Sequence, residues 1–166
     1  ISAAHSRQKQ NGASSWGERR HARASQKSAN ADTTKGAPSG SKFNQSESIP
    51  SFTTRVWPNG DTYEGQMLQE QMHGRGIFTS LSGYVYTGEF KFGKPNGLGK
   101  LVYDNGDQFE GHFVNDMLHG HGKYIYSNGD RYQGEFQNDS PHGQGVYILA
   151  NGSIYSGTWV QGNLVS

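Results

Sequence analysis

The sequence predicts an all-β fold: an elongated, single-layer, twisted antiparallel meander of tandem 23-residue β-hairpin repeats, preceded by a disordered tail. Three observations predict it. First, an aromatic recurs every 23 residues, at Tyr63, Tyr86, Phe109, Tyr132 and Tyr155. Second, glycines keep the same step. They fall two residues after each of those aromatics (Gly65, Gly88, Gly111, Gly134, Gly157) and in pairs at Gly74/Gly76, Gly97/Gly99, Gly120/Gly122 and Gly143/Gly145. Third, the chain has 24 glycines and 12% aromatic residues but only 31% hydrophobic residues overall, so rings rather than aliphatic side chains must do the packing.

Each half of a repeat reads as a strand. Tyr86, Gly88 and Phe90 alternate with the polar Thr87 and Glu89, a period of two. Gly97, Gly99, Leu101 and Tyr103 alternate in the same way. A second large apolar row recurs at Met67, Phe90, Phe113, Phe136 and Trp159, and a third at Phe78, Leu101, Tyr124 and Tyr147.

The turn between these strands can be read by parity. Pro58-Asn59-Gly60, Asp104-Asn105-Gly106, Ser127-Asn128-Gly129 and Ala150-Asn151-Gly152 occupy equivalent places, with Leu81-Ser82-Gly83 as a variant. A two-residue Asn-Gly loop would put Leu101 opposite Glu110 and split the apolar sets between two faces. A three-residue loop pairs Leu101 with Phe109 and Gly99 with Gly111, which gathers rings and glycines on one face. That loop is a type I turn followed by a left-handed residue, which glycine suits. The glycines of both sets are expected to make room for rings from neighbouring positions.

Residues 1–50 form the predicted tail. They are rich in Ser, Ala, Gln, Lys and Asn, show no strand or helix period, and cannot bury enough apolar surface to offset ordering. The tail carries eight Lys and Arg against three Asp and Glu, net +5; residues 51–166 carry seven against eleven, net −4. Arg19, Arg20, Arg23 and Lys27 form the most basic stretch, a candidate electrostatic contact. The repeats occupy 51–166, with units starting at 63, 86, 109, 132 and 155, the last incomplete.

Chemistry is not expected. Cysteine is absent, which removes disulfides, thiolate ligands and cysteine nucleophiles and fits a reducing compartment. His73, His119 and His142 recur one per hairpin, with Asn96 in the same place. Two strands per hairpin put neighbouring histidines roughly 10 Å apart, too far to share one ion. Gly97-Leu98-Gly99 lacks the third glycine and following helix of a phosphate loop. No catalytic, cofactor or metal residue is therefore named, and no specific nucleic-acid contact is expected. The three Asn-x-Ser matches, at Asn44, Asn138 and Asn151, read as chance.

The pattern of an aromatic, a glycine and an aromatic followed by Gly-x-Gly resembles the MORN repeat family. It is carried by Tyr86-Thr87-Gly88-Glu89-Phe90 with Gly97-Leu98-Gly99, and again by Tyr132-Gln133-Gly134-Glu135-Phe136 with Gly143-Gln144-Gly145. Met67 in place of an aromatic and Leu81-Ser82-Gly83 in place of Asn-Gly depart from it. The resemblance implies a non-catalytic protein-binding scaffold, intracellular and cytoplasmic, in a cytoskeletal, ciliary or membrane-junction assembly. Tyr63, Tyr86, Phe90, Phe109, Phe113, Tyr132, Phe136, Tyr155 and Trp159 are the expected lining of an aromatic groove for a partner helix or extended peptide. Val102, Ile125 and Ile148 mark an apolar row on the opposite face, suited to a second contact or self-association. Two alternatives stand beside this reading: a peripheral module binding anionic phospholipid, and a regulatory repeat fragment of a larger enzyme such as a lipid kinase.

Overall fold

A computed structural model describes residues 51–166. The basic stretch Arg19, Arg20, Arg23 and Lys27, and the tail expected around it, lie outside the described residues. The described chain forms eleven strands: β1 (Ser51–Val56), β2 (Thr62–Leu68), β3 (Gln71–Thr79), β4 (Val85–Lys91), β5 (Lys94–Val102), β6 (Gln108–Val114), β7 (Met117–Ile125), β8 (Arg131–Gln137), β9 (Ser140–Ile148), β10 (Ile154–Val160) and β11 (Asn163–Leu164). They build one antiparallel sheet in strict sequence order, so every strand lies beside its chain neighbours.

Two kinds of turn alternate. The three-residue loops follow the parity argument: Leu101 pairs with Phe109 and Gly99 with Gly111. The Gly106 N–H donates to the Tyr103 carbonyl at 3.0 Å, the Tyr103 N–H donates to the Asp107 carbonyl at 2.9 Å, and Gly106 has φ +85°. This is the type I turn with a left-handed third residue. The same bonds recur from Gly60 to Trp57, Gly83 to Ser80, Gly129 to Tyr126 and Gly152 to Leu149. The variant Leu81-Ser82-Gly83 thus makes the same loop; Ser82 stands in the asparagine's place, and its own N–H donates to the Ser80 hydroxyl.

The other turns have two residues, both left-handed: Gln69-Glu70, Phe92-Gly93, Asn115-Asp116, Asn138-Asp139 and Gln161-Gly162. These are type I′ turns, whose twist matches that of the flanking strands. Asparagine tolerates this conformation and phenylalanine does not, so Phe92 at φ 49° is strained.

The first glycine of each Gly-x-Gly pair has a different task from the one expected of it. Between the pairs Gly65↔Gly76 and Met67↔Met72, one residue, Gln66, faces three: His73, Gly74 and Arg75. The same two-residue bulge recurs beside Glu89, His112 and Glu135. Its middle residue is Gly74, Gly97, Gly120 or Gly143, each at positive φ. Because two residues are inserted, the in–out alternation stays in phase on both sides of the bulge.

β1 corresponds, 23 residues earlier, to the end of β3. Thr53 stands where Gly76 stands and Arg55 where Phe78 stands. It closes the aromatic row with polar groups: the Arg55 guanidinium lies 5.4 Å from the Trp57 ring and donates to the Glu70 carbonyl at 3.1 Å.

Candidate functional site

The inward face is built from rings lying over glycines. A Cβ at Gly76, Gly99, Gly122 or Gly145 would collide with the ring of Tyr63, Tyr86, Phe109 or Tyr132 respectively. Each of those rings therefore lies across its partner strand where a side chain is missing. Three of them are pinned by their hydroxyls: Tyr63, Tyr86 and Tyr132 donate to the carbonyls of Gln66, Glu89 and Glu135 at 2.7, 2.9 and 3.1 Å. Those carbonyls sit opposite the bulges. Burial pushes the Tyr63 hydroxyl up to about 12, with a backbone hydrogen bond at His73 lowering it in part. Burial, and then the nearby charge of Glu135, push Tyr132 up as well.

The rings then interlock between repeats. Tyr63, Phe90, Tyr86, Phe113, Phe109, Phe136, Tyr132 and Trp159 form an unbroken edge-to-face ladder. Successive centroids are 4.9–5.3 Å apart and planes cross at 79–90°. This is the arrangement favoured by the ring quadrupole. The Trp159 indole N–H donates to the Gly145 carbonyl at 3.0 Å. All eight rings are at most 3% exposed. They therefore do not line an open groove; each is covered by its neighbours. Tyr155, the ninth residue expected there, is part-exposed.

A second ring row runs beside the three-residue loops. It links Trp57 to Phe78 and Tyr84, and Tyr103 through Tyr124, Tyr126 and Tyr147 to Trp159. Its loop ends are tied by a residue that sequence reasoning passed over. Asp107, 2% exposed, accepts from the Tyr124 hydroxyl and from the Ser127 N–H, both at 2.8 Å. Asp130 accepts from the Tyr147 hydroxyl at 3.0 Å and the Ala150 N–H at 2.8 Å. Asp61 accepts from the Leu81 N–H at 2.9 Å. Each aspartate thus latches its own loop to the next. Their spacing was a signal, blurred because Tyr84 and Ser153 stand in the other two places. The opposite edge is tied by backbone: Gly93, Asp116, Asp139 and Gly162 donate to the carbonyls of Met72, Pro95, Leu118 and Pro141.

The outward face carries the remaining candidates. Cross-strand register puts Val85, Val102, Gln108, Ile125, Arg131, Ile148 and Ile154 in one row. Val85, Val102, Ile125 and Ile148 are part-exposed and Ile154 is 65% exposed. Beside them runs a charged row in which Lys100 faces Glu110 and Glu110 faces Lys123. His73, His119 and His142 lie on β3, β7 and β9, one to each bulge, and His73 packs edge-on against Phe92 at 5.6 Å. Among the described residues no three metal-ligating side chains converge.

A sheet of hairpins in which each repeat contacts its neighbours, with one face closed on itself and the other presented, is the architecture of a repeat-type binding module. The MORN repeat model matches residues 63–83, 86–108, 109–131 and 132–154, and the chain belongs to the MORN repeat family. No curated protein matched the chain in a sequence comparison.

Proposed function

We propose that this chain is a non-catalytic protein-binding scaffold whose partner docks on the outward face of the sheet. The carrying observation is the division of labour between the faces. The aromatic ladder is buried by its own neighbours, while the row Val85, Val102, Ile125, Ile148 and Ile154 stays accessible across successive repeats. A largely apolar row, broken by Gln108 and Arg131 and bordered at its centre by Lys100, Glu110 and Lys123, suits an extended or helical segment of a partner protein. The test is capture of partners from native cells with the full chain and with Ile125→Glu/Ile148→Glu. Neither side chain belongs to the ladder, so the variant should keep the wild-type circular dichroism and lose its partners. Retained capture would refute this surface.

A second reading, contact with an anionic membrane, is favoured by one turn. Phe92, 60% exposed, stands between Lys91 and Lys94, which face each other across the hairpin, and the Lys91 ammonium lies 5.8 Å from the ring. An exposed ring flanked by cations matches a lipid interface. Phe92→Asn, which relieves the strained φ, should then lower binding to phosphatidylserine vesicles and leave phosphatidylcholine vesicles unbound. Equal binding by wild type and variant would remove this reading.

A further inference from the structure

We propose that Asn151, in the loop between β9 and β10, is a site of spontaneous succinimide formation, and the most reactive of the four Asn-Gly pairs in the three-residue loops. The chemistry needs only water as co-reactant. The Gly152 nitrogen attacks Cγ of Asn151, the new C–N bond forms as the Cγ–Nδ2 bond breaks, and ammonia leaves with the amide proton. Water then opens the ring at either carbonyl, giving aspartate or, with the chain rerouted through Cγ, isoaspartate.

All four asparagines are exposed, and all four hold the same local bond: Oδ1 accepts from the backbone N–H two residues on, at 2.9–3.1 Å. What differs is the residue bearing that N–H. At Asn59 and Asn128 it is an aspartate, and the carboxylate also holds the leaving group: Asn59 Nδ2 donates to Asp61 at 2.8 Å and Asn128 Nδ2 to Asp130 at 3.1 Å. Donation to a carboxylate strengthens the amide C–N bond and leaves Cγ less electrophilic. The negative charge also opposes the amide anion that performs the attack. Asn105 lies between Asp104 and Asp107, and its own N–H donates to Asp104 at 2.9 Å. At Asn151 the corresponding residue is Ser153, flanked by Ala150 on the other side, so neither opposing charge is present. Gly152 is also unencumbered: no heavy atom lies within 4 Å of where its Cβ would be.

The reaction would have a structural outcome. Cyclisation consumes the Gly152 N–H, which donates to the Leu149 carbonyl at 2.9 Å and closes the turn. Isoaspartate adds a backbone methylene to a loop whose length sets which face each ring of β10 takes. The hairpin carrying Tyr155 and Trp159 would loosen first.

The test is ageing of the full chain at mildly alkaline pH and physiological temperature, followed by peptide mapping for a gain of about one mass unit and by isoaspartyl methyltransferase labelling. Asn151 should convert about tenfold faster than Asn59 and Asn128, a ratio equal to about 1.4 kcal/mol of barrier. Ser153→Asp should slow Asn151 toward the other loops, with circular dichroism checking the fold. The wild-type ranking needs no variant: conversion of Asn59, Asn105 or Asn128 as fast as Asn151 would overturn the proposal. So would a Ser153→Asp chain, folded, that ages at the wild-type rate.

Discussion

The two glycines of one Gly-x-Gly pair should respond oppositely in size to the same substitution, and Gly120 and Gly122 make the cleanest pair. Gly120 is the middle of a bulge at φ +66°; an added Cβ would meet only the Cβ and Cγ of His112, at 3.5 and 3.9 Å, which is ordinary contact. Gly120→Ala therefore costs the left-handed backbone alone, about 1–2 kcal/mol. Gly122 is different. An alanine within a strand would by itself gain roughly 0.5–1 kcal/mol over glycine. Its Cβ, however, would collide with the edge of the Phe109 ring, which is wholly buried. If the ring is displaced, about 150–250 Å² of aromatic surface returns to water, worth roughly 4–6 kcal/mol at about 25 cal/mol per Å². If the sheet instead yields, overpacking costs about 1–3 kcal/mol. The Phe109 ring also contacts Phe113 and Phe136, so displacement would break the ladder in its middle. With the ring displaced, Gly122→Ala should thus cost about 3–5 kcal/mol after the alanine gain, more than the roughly 1–2 kcal/mol for Gly120→Ala. Urea unfolding followed by circular dichroism and tryptophan fluorescence measures both. A Gly122→Ala chain as stable as wild type, or less harmed than Gly120→Ala, would refute the account of rings lying over glycines.

Other consequences follow from the same geometry. Phe109 lacks the hydroxyl that pins its three counterparts, so Phe109→Tyr should donate to the His112 carbonyl and raise stability by about 0.5–1.5 kcal/mol in urea unfolding. Asp107→Ala should cost roughly 1.5–3 kcal/mol, because it leaves the Tyr124 hydroxyl and the Ser127 N–H without their carboxylate. The fold also favours the protonated form of Tyr63, whose pKa rises from 10.0 to about 12. Stability from this group is full below pH 10 and lost as pH climbs through 12. Alkaline titration should show phenolate absorbance and unfolding rising together across that window, and Tyr63→Phe should weaken the dependence.

Much of this fold was legible because the information is local and repeated. Parity across Asp104-Asn105-Gly106 depends on three residues and two alternating strands, and it specifies the observed pairing of Leu101 with Phe109. The bulge was hidden for the same reason. A two-residue insertion preserves alternation, so Gly120 and Gly122 look identical in the pattern while one bends the backbone and the other lies under a ring. Ring burial was hidden because a one-layer sheet has no second layer to cover it. What covers Tyr86 is Phe90 on its own strand and Phe113 from the next repeat, brought to 5.0 and 4.9 Å by a register that includes the bulge.

The closed ladder changes where function can reside. A side chain that holds the sheet together cannot also be given to a ligand without opening the array. Truncating Phe113 or Tyr132 would therefore test cohesion rather than recognition, since each is at most 1% exposed. The outward side chains carry no such duty. Lys100, Glu110 and Lys123 occupy one row, yet the corresponding positions elsewhere in it are Ile77, Thr87, Gln133 and Val146. Repeats that share the buried ladder and differ on the outer face can present a different surface at each step. A partner would then read the order of repeats along the sheet, and exchanging the outward residues of two repeats should abolish binding while leaving stability unchanged.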